Sequence, residues 1–202
     1  MKGLSFALMA SIVVAAPALA EPQIGKPAPN FKANDVNGRV VSLSDFKGKT
    51  VVLEWNNPEC PFVRKHYDSG NMQKTQAAAK KDGVVWLSIN SSAPGKQGHM
   101  DGAKAKSVLA ANKAQPTAYL LDPKGVVGKG YDAKTTPHMY IVNPAGNLVY
   151  MGGIDDKPTR SKDDIPGARN HVLSALSELK AGKPVSVPTT RPYGCAVKYS
   201  DS

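Results

Sequence analysis

Two apolar runs of strand length, Val51–Trp55 and Val84–Asn90, rise out of a mostly polar background. Their near-continuous apolarity predicts buried strands inside a parallel or mixed sheet. The segment between them, PFVRKHYDSGNMQKTQAAAKKDG, is helical in composition. Pro61 suits a first turn that has no use for its missing N–H, Gly70 marks a break or kink, and Gly83 marks the end. Ser91 to Gly98 reads as a loop, and His99–Lys113 as an amphipathic helix with Met100, Ala103, Val108, Leu109 and Ala111 at its apolar positions. Thr117–Asp122 and Met139–Val142 predict two further strands. Asp122-Pro123-Lys124-Gly125 reads as a turn only.

The remaining signals are turns and one closing helix. Val36-Asn37-Gly38-Arg39 carries the Asn-Gly mark of a tight hairpin, with Val40–Leu43 returning as a short strand. Ser44 and Asp45 open a helical turn that stops near Gly48. Asn143–Asn147 turns the chain into Leu148–Met151, a second hairpin. A last helix runs from about Ala168 to Lys180, with Val172, Leu173, Leu176 and Leu179 on one face and Gly182 and Pro184 beyond its end. The order predicts an α/β fold with a mixed sheet between helices. No internal repeat or low-complexity segment interrupts it.

The N-terminus changes where this fold is expected to work. Lys2, an apolar stretch from Leu4 through Ala16 and the small-residue end Pro17-Ala18-Leu19-Ala20 have the form of a secretory signal peptide. The apolar run is short of the roughly 20 residues that cross a bilayer. The mature chain is therefore expected to begin at Glu21, to be periplasmic or secreted, and to span no membrane. The length left is enough for an ordinary core, so one domain is the simplest count. The net charge of +10 comes from lysines spread along the chain, among them Lys47, Lys74, Lys104, Lys129 and Lys180. They form no compact basic-aromatic cluster, which points away from nucleic acid. Oligomeric state is not legible.

Chemistry concentrates on two cysteines. Cys60 stands where the first buried strand hands over to a helix, and Cys195 lies far along the chain in RPYGCAVKY. A thiol at a helix N-terminus meets unpaired N–H groups and the positive end of the helix dipole, which favour the thiolate. Arg64 and Lys65, one turn on, add positive potential. In an exporting compartment the two sulfurs form a candidate pair. Glu54 is the odd residue in its apolar strand, either a buried proton acceptor for thiol chemistry or a carboxylate at an edge or in a salt bridge. His66, His99, His138 and His171 show no metal-ligand spacing, and neither a metal nor another cofactor is expected.

The chain resembles the redoxin branch of the thioredoxin-fold superfamily, which includes peroxiredoxins and thioredoxin-like reductants. The resemblance rests on the lead IGKPAPNFKANDVNGRVVSLSDFKGKTVVLEW, Cys60-Pro61, Thr136-Pro137, and NPAGN leading into LVYMGGID, and it spans Ile24 to Gly182. It implies a thioredoxin-like three-layer sandwich, with a mixed central sheet flanked by helices, over residues 21–182, followed by a tail, 183–202, that carries Cys195. It also implies a cis bond before Pro137 beside the reactive cysteine, leaving the Thr136 backbone free to meet an extended substrate strand. The departures are informative too. Val63 replaces the second sulfur of a CxxC pair, and the threonine or serine and the proline of a peroxidase site are absent in either register; Asn57 stands three residues before Cys60. A peroxiredoxin-like subgroup that keeps only the first CxxC cysteine fits better, through Glu59-Cys60-Pro61-Phe62-Val63 and Tyr193-Gly194-Cys195.

Three readings follow. In the first, Cys60 attacks a substrate disulfide and Cys195 resolves the mixed disulfide, with protein thiols or disulfides as partners. In the second, Cys60 reduces a hydroperoxide and condenses with Cys195, with Asn57, Arg64 or Arg169 as donors to the peroxide. In the third, a Cys60–Cys195 bond braces the fold, worth about 4–5 kcal/mol in the entropy model. Trp55, Phe62, Trp86 and Tyr140 line a groove beside Cys60 or else belong to the core. The expected substrate-binding set is Trp55, Pro61, Phe62, Thr136 and Pro137, with Glu54, Asn57 and Arg64 in support.

Overall fold

The computed structural model describes residues 21–200; the expected signal segment lies outside the described residues. The elements run β1 (Lys32–Asp35), β2 (Val40–Ser42), β3 (Val51–Trp55), α1 (Pro61–Asp68), α2 (Asn71–Lys81), β4 (Val85–Asn90) and α3 (Gly102–Ala111). They continue as β5 (Ala118–Leu121), α4 (Val126–Gly130), β6 (Thr135–Thr136), β7 (His138–Val142), β8 (Leu148–Gly152), α5 (His171–Lys180) and β9 (Cys195–Ala196). Among the described residues, seven strands build one mixed sheet in the order β2-β1-β5-β4-β3-β7-β8, and β6 pairs with β9 in a separate ribbon.

The two runs that read as buried strands occupy the middle. β3 lies parallel to β4 on one side and antiparallel to β7 on the other, so Leu53 sits between Leu87 and Tyr140. Every residue of β3, β4 and β7 is buried, and an apolar core forms on each face. One contains Val51, Leu53, Trp55, Tyr131 and Tyr140. The other packs Val52, Trp86, Met139 and Ile141 against Val63 and Tyr67 of α1, Met72 of α2 and Val172 of α5. This is the thioredoxin-like α/β sandwich that the resemblance implied.

The helix downstream of Cys60 divides where glycine intervenes. Gly70 adopts φ 75°, a left-handed conformation that costs glycine nothing, and α2 restarts after it. α3 begins later than its apolar pattern, because Asp101 caps it by accepting from the Lys104 N–H at 2.7 Å, which leaves His99 and Met100 in the loop. α4 was not visible as a helix, being five residues with two glycines. Its anchor is Asp122 in the preceding turn: the buried carboxylate accepts from the Gly128 N–H and the Ser91 hydroxyl.

Candidate active site

Strand β3 delivers the chain to Cys60 through a short turn, in which the Cys60 N–H donates to the Asn57 carbonyl at 3.0 Å. Cys60 is the N-cap of α1, with extended backbone (φ −76°, ψ 125°) and Pro61 in the first turn. Its carbonyl accepts the first helical bond from Arg64 N–H. Across from it the Thr136-Pro137 bond is cis, and the Thr136 carbonyl oxygen lies 3.1 Å from Cys60 Sγ. Cys60 is disulfide-bonded to Cys195, with Cα atoms 6.0 Å apart, inside the range a disulfide spans. In this bonded state Sγ carries no hydrogen, so the approach to Thr136 is a contact; only the free thiol could donate there.

The tail reaches this place by pairing its backbone. Its approach runs along β8, where the Met151 N–H donates to Pro188 O and the Thr190 N–H to Met151 O. β9 then pairs antiparallel with β6, Cys195 opposite Thr136. Beyond it, the Val197 N–H donates to Lys134 O and the Tyr199 hydroxyl to Ala133 O. Cys60 is fully covered, whereas Cys195 is only half-buried.

Beneath the tail lies a polar group of Tyr193, Lys65, His66 and Asp155, in which Lys65, expected to add positive potential at Cys60, turns instead to Lys157 O and Asp155. Tyr193 donates to Asp155 Oδ1 and sits 3.1 Å from His66 Nε2. Asn71 Nδ2 donates to His66 Nδ1 at 2.8 Å, so the neutral ring carries its proton on Nε2 and gives it to Tyr193. Burial drives the His66 pKa down to about 4, against the upward pull of Asp155 and helped by Lys65. At neutral pH, then, the 4.0 Å approach of His66 to Asp155 is not an ion pair. Lys65, with a fully covered side chain, donates to Lys157 O at 2.7 Å. Burial, and then the Asp155 carboxylate, push the Tyr193 phenol far above its ordinary range. Among the described residues Asp155 Oδ2, which is buried, has no hydrogen-bond partner, and it lies 4.0 Å from both Lys65 Nζ and His66 Nε2. Lys65, His66 and Asp155 all lie within quoted runs, but nothing local tells a solvated Lys-His pair from a buried one.

The other expected residues are distributed unevenly. Phe62 stays beside the disulfide, its ring 6.0 Å from that of Tyr193. Pro61 is exposed at the helix start, and Thr136 and Pro137 are buried against the tail. Trp86 belongs to the Cys60 side of the sheet. Trp55 and Tyr140 do not come to the groove: they pack together on the opposite face, centroids 5.1 Å apart, and the Trp55 indole donates to Ser91. Arg64 points outward to Asp68 at 3.4 Å with its side chain 64% exposed. Asn57 serves the turn, accepting from the Glu59 N–H and donating to Gln97 O. Arg169 holds its own turn through its N–H to Asp156.

Among the described residues, Glu54 sits neither at a sheet edge nor in a salt bridge. It is fully buried in the central strand and held by five neutral donors. Asn56 (2.8 Å) and Tyr67 (2.9 Å) donate to Oε1. Gln76 (3.3 Å), Trp86 (2.8 Å) and Ser88 (2.7 Å) donate to Oε2. Through Tyr67, this carboxylate ties α1, and hence the helix start at Cys60, to the sheet.

The chain is 28% identical over 127 residues to the thiol-disulfide oxidoreductase ResA of Bacillus subtilis (strain 168), a match covering 62% of this chain and 64% of that protein. It thus spans just under two thirds of that relative's length. The crystal structure of an uncharacterized conserved protein from Geobacillus kaustophilus superposes with a TM-score of 0.75 at 29% identity, covering 89% of this chain and 94% of that one. A secreted Mycobacterium tuberculosis disulfide oxidoreductase homologous to E. coli DsbE shares the fold, with a TM-score of 0.51 at 22% identity over 68% of this chain and 92% of that one. The AhpC/TSA family model matches residues 24–151, more than half of the chain, from the lead before β1 into β8: the protein belongs to the AhpC/TSA family, within the redoxins of thioredoxin fold.

Proposed function

We propose that this protein is an exported thiol–disulfide oxidoreductase in which Cys60 is the nucleophile and Cys195 the resolving thiol. One observation carries the reading: the sulfur at the start of α1 is bonded to a sulfur delivered by the tail, at the backbone edge that precedes Pro137. In the reduced protein the Cys60 thiolate attacks one sulfur of a substrate disulfide. A Cys60–substrate disulfide forms and the other substrate sulfur leaves as a thiolate, which takes up a proton. Cys195, as thiolate, then attacks Cys60 Sγ; the Cys60–Cys195 bond forms and the second substrate thiol departs. The substrate gains two electrons and the protein dithiol loses two. In the oxidised form an incoming thiol meets the half-buried Cys195 rather than the covered Cys60. Attack there expels Cys60 at the helix N-terminus, where the dipole favours an anion.

The ResA relative supports this chemistry. Export rests on the Lys2-led apolar segment, and no helix among the described residues is long and apolar enough to cross a membrane. The test is a trap: with Cys195→Ser, mixed disulfides through Cys60 accumulate with protein partners under oxidising conditions. Their absence, with Cys60 confirmed as a free thiol, rejects the scheme.

The full burial of Cys60 favours one competing reading, a permanent brace. The reduction potential separates the two: a value below about −300 mV marks an inert brace, and a higher one a working couple.

A further inference from the structure

The segment that covers Cys60 docks as an extended peptide would. β9 adds to β6 by antiparallel backbone pairing, the mode in which a strand of another chain is bound at a sheet edge. The two residues before Cys195 each fit a matching feature. A Cβ on Gly194 would fall 2.0 Å from the Thr136 carbonyl oxygen and 2.7 Å from its carbon, and the residue's φ of 137° lies where side chains are strained. Only glycine lets the strand come this close. Tyr193 lays its ring against Phe62 and sends its hydroxyl between His66 and Asp155. A cleft of about 630 Å³, lined by Thr135, Asp155, His171, Tyr193 and Gly194 among others, runs alongside.

The receptor is more elaborate than a brace requires. A disulfide needs two sulfurs at the right distance; it does not need a buried lysine, histidine and aspartate arranged around a phenol. Opening the Cys60–Cys195 bond and lifting the tail would uncover together the β6 edge, the Phe62 ring and the His66–Asp155 socket, with Asp155 Oδ2 already lacking a hydrogen-bond partner.

We propose that the tail is a tethered stand-in for the substrate, and that the reduced site takes from another polypeptide an extended segment in which glycine directly precedes the reactive cysteine and tyrosine stands one place before that. This rests on the exchange reading above and adds its specificity. Substrate strand and tail occupy the same edge. Resolution is therefore also release: as Cys195 attacks Cys60 Sγ, β9 forms on β6 in place of the substrate strand, and the substrate cysteine leaves as a thiol. Tethering gives the tail a high effective concentration for that step.

The test uses the full chain carrying Cys195→Ser and three synthetic peptides whose cysteine is joined to thionitrobenzoate. One is Pro-Tyr-Gly-Cys-Ala-Val, one has alanine for the glycine, and one has alanine for the tyrosine. Cys60 attacks the peptide sulfur, a Cys60–peptide disulfide forms, and thionitrobenzoate leaves as a coloured anion whose appearance gives the rate. The parent peptide is expected to react about tenfold or more faster than either variant. A docked tail slows all three alike and leaves the ratios intact. Rates within about twofold of one another, with Cys60 reacting normally toward the free aryl disulfide, overturn the specificity and leave the exchange reading standing. Failure of Cys60 to react with the aryl disulfide as well overturns both.

Discussion

Replacing Glu54 by glutamine would exchange one oxygen of a buried carboxylate for an NH₂ group, at a site where five donors converge on two oxygens. The Trp86 indole can only donate, so the new carbonyl must take the Oε2 position that serves Trp86, Ser88 and Gln76. The amide NH₂ then faces Tyr67 and Asn56. The Tyr67 hydroxyl can turn and accept. Asn56 can accept only by flipping its amide, which turns its NH₂ toward the buried Tyr119 hydroxyl; that hydroxyl must then accept, and loses the acceptor it now holds at 2.9 Å. At least one buried O–H or N–H loses its acceptor, and charge-assisted bonds become neutral ones. Together these cost about 3 kcal/mol. Equilibrium unfolding in urea, followed by the fluorescence of Trp55 and Trp86, should show a midpoint lower by about 1–3 M. A loss under about 1 kcal/mol would refute the argument that this carboxylate holds α1 to the sheet.

Two further outcomes follow from the same geometry. The disulfide closes a sequence separation of 135 residues, so its entropic ceiling is about 5 kcal/mol; unfolding in urea with and without a reductant should show a clear loss of stability, and coincident curves would remove the bond from the account of stability. Burial holds both His66 and His138 at a pKa of about 4, below the ordinary 6.5. A base depressed on folding gives its full stabilisation above about pH 6.5 and loses it as pH falls toward 4, by up to about 3 kcal/mol for each residue. The pH dependence of unfolding should therefore be steep in that window and shallower in His66→Gln; identical slopes would contradict a neutral, buried His66.

The sheet, the break at Gly70 and the position of Cys60 were legible in the chain itself, because apolar runs, glycines and caps act over a few residues. The cis bond before Pro137 and the tail cysteine were legible through resemblance, since nothing in local chemistry distinguishes Thr136-Pro137 from an ordinary turn. Trp55 illustrates where that stops. β3 is buried on both faces, with Val51, Leu53 and Trp55 on one and Val52 and Glu54 on the other, so its apolar run does not say which face meets Cys60, and tertiary packing put Trp55 on the far one.

Residue pattern alone thus determined an α/β fold with a sulfur at a helix start, and resemblance made it a redoxin. Tertiary structure decided that Glu54 would be caged by neutral donors, that Lys65, His66 and Asp155 would be buried around Tyr193, and that Cys195 would arrive as a strand beside Thr136. These depend on contacts between segments far apart in the chain, whose energies arise from shared burial that no short stretch of sequence encodes.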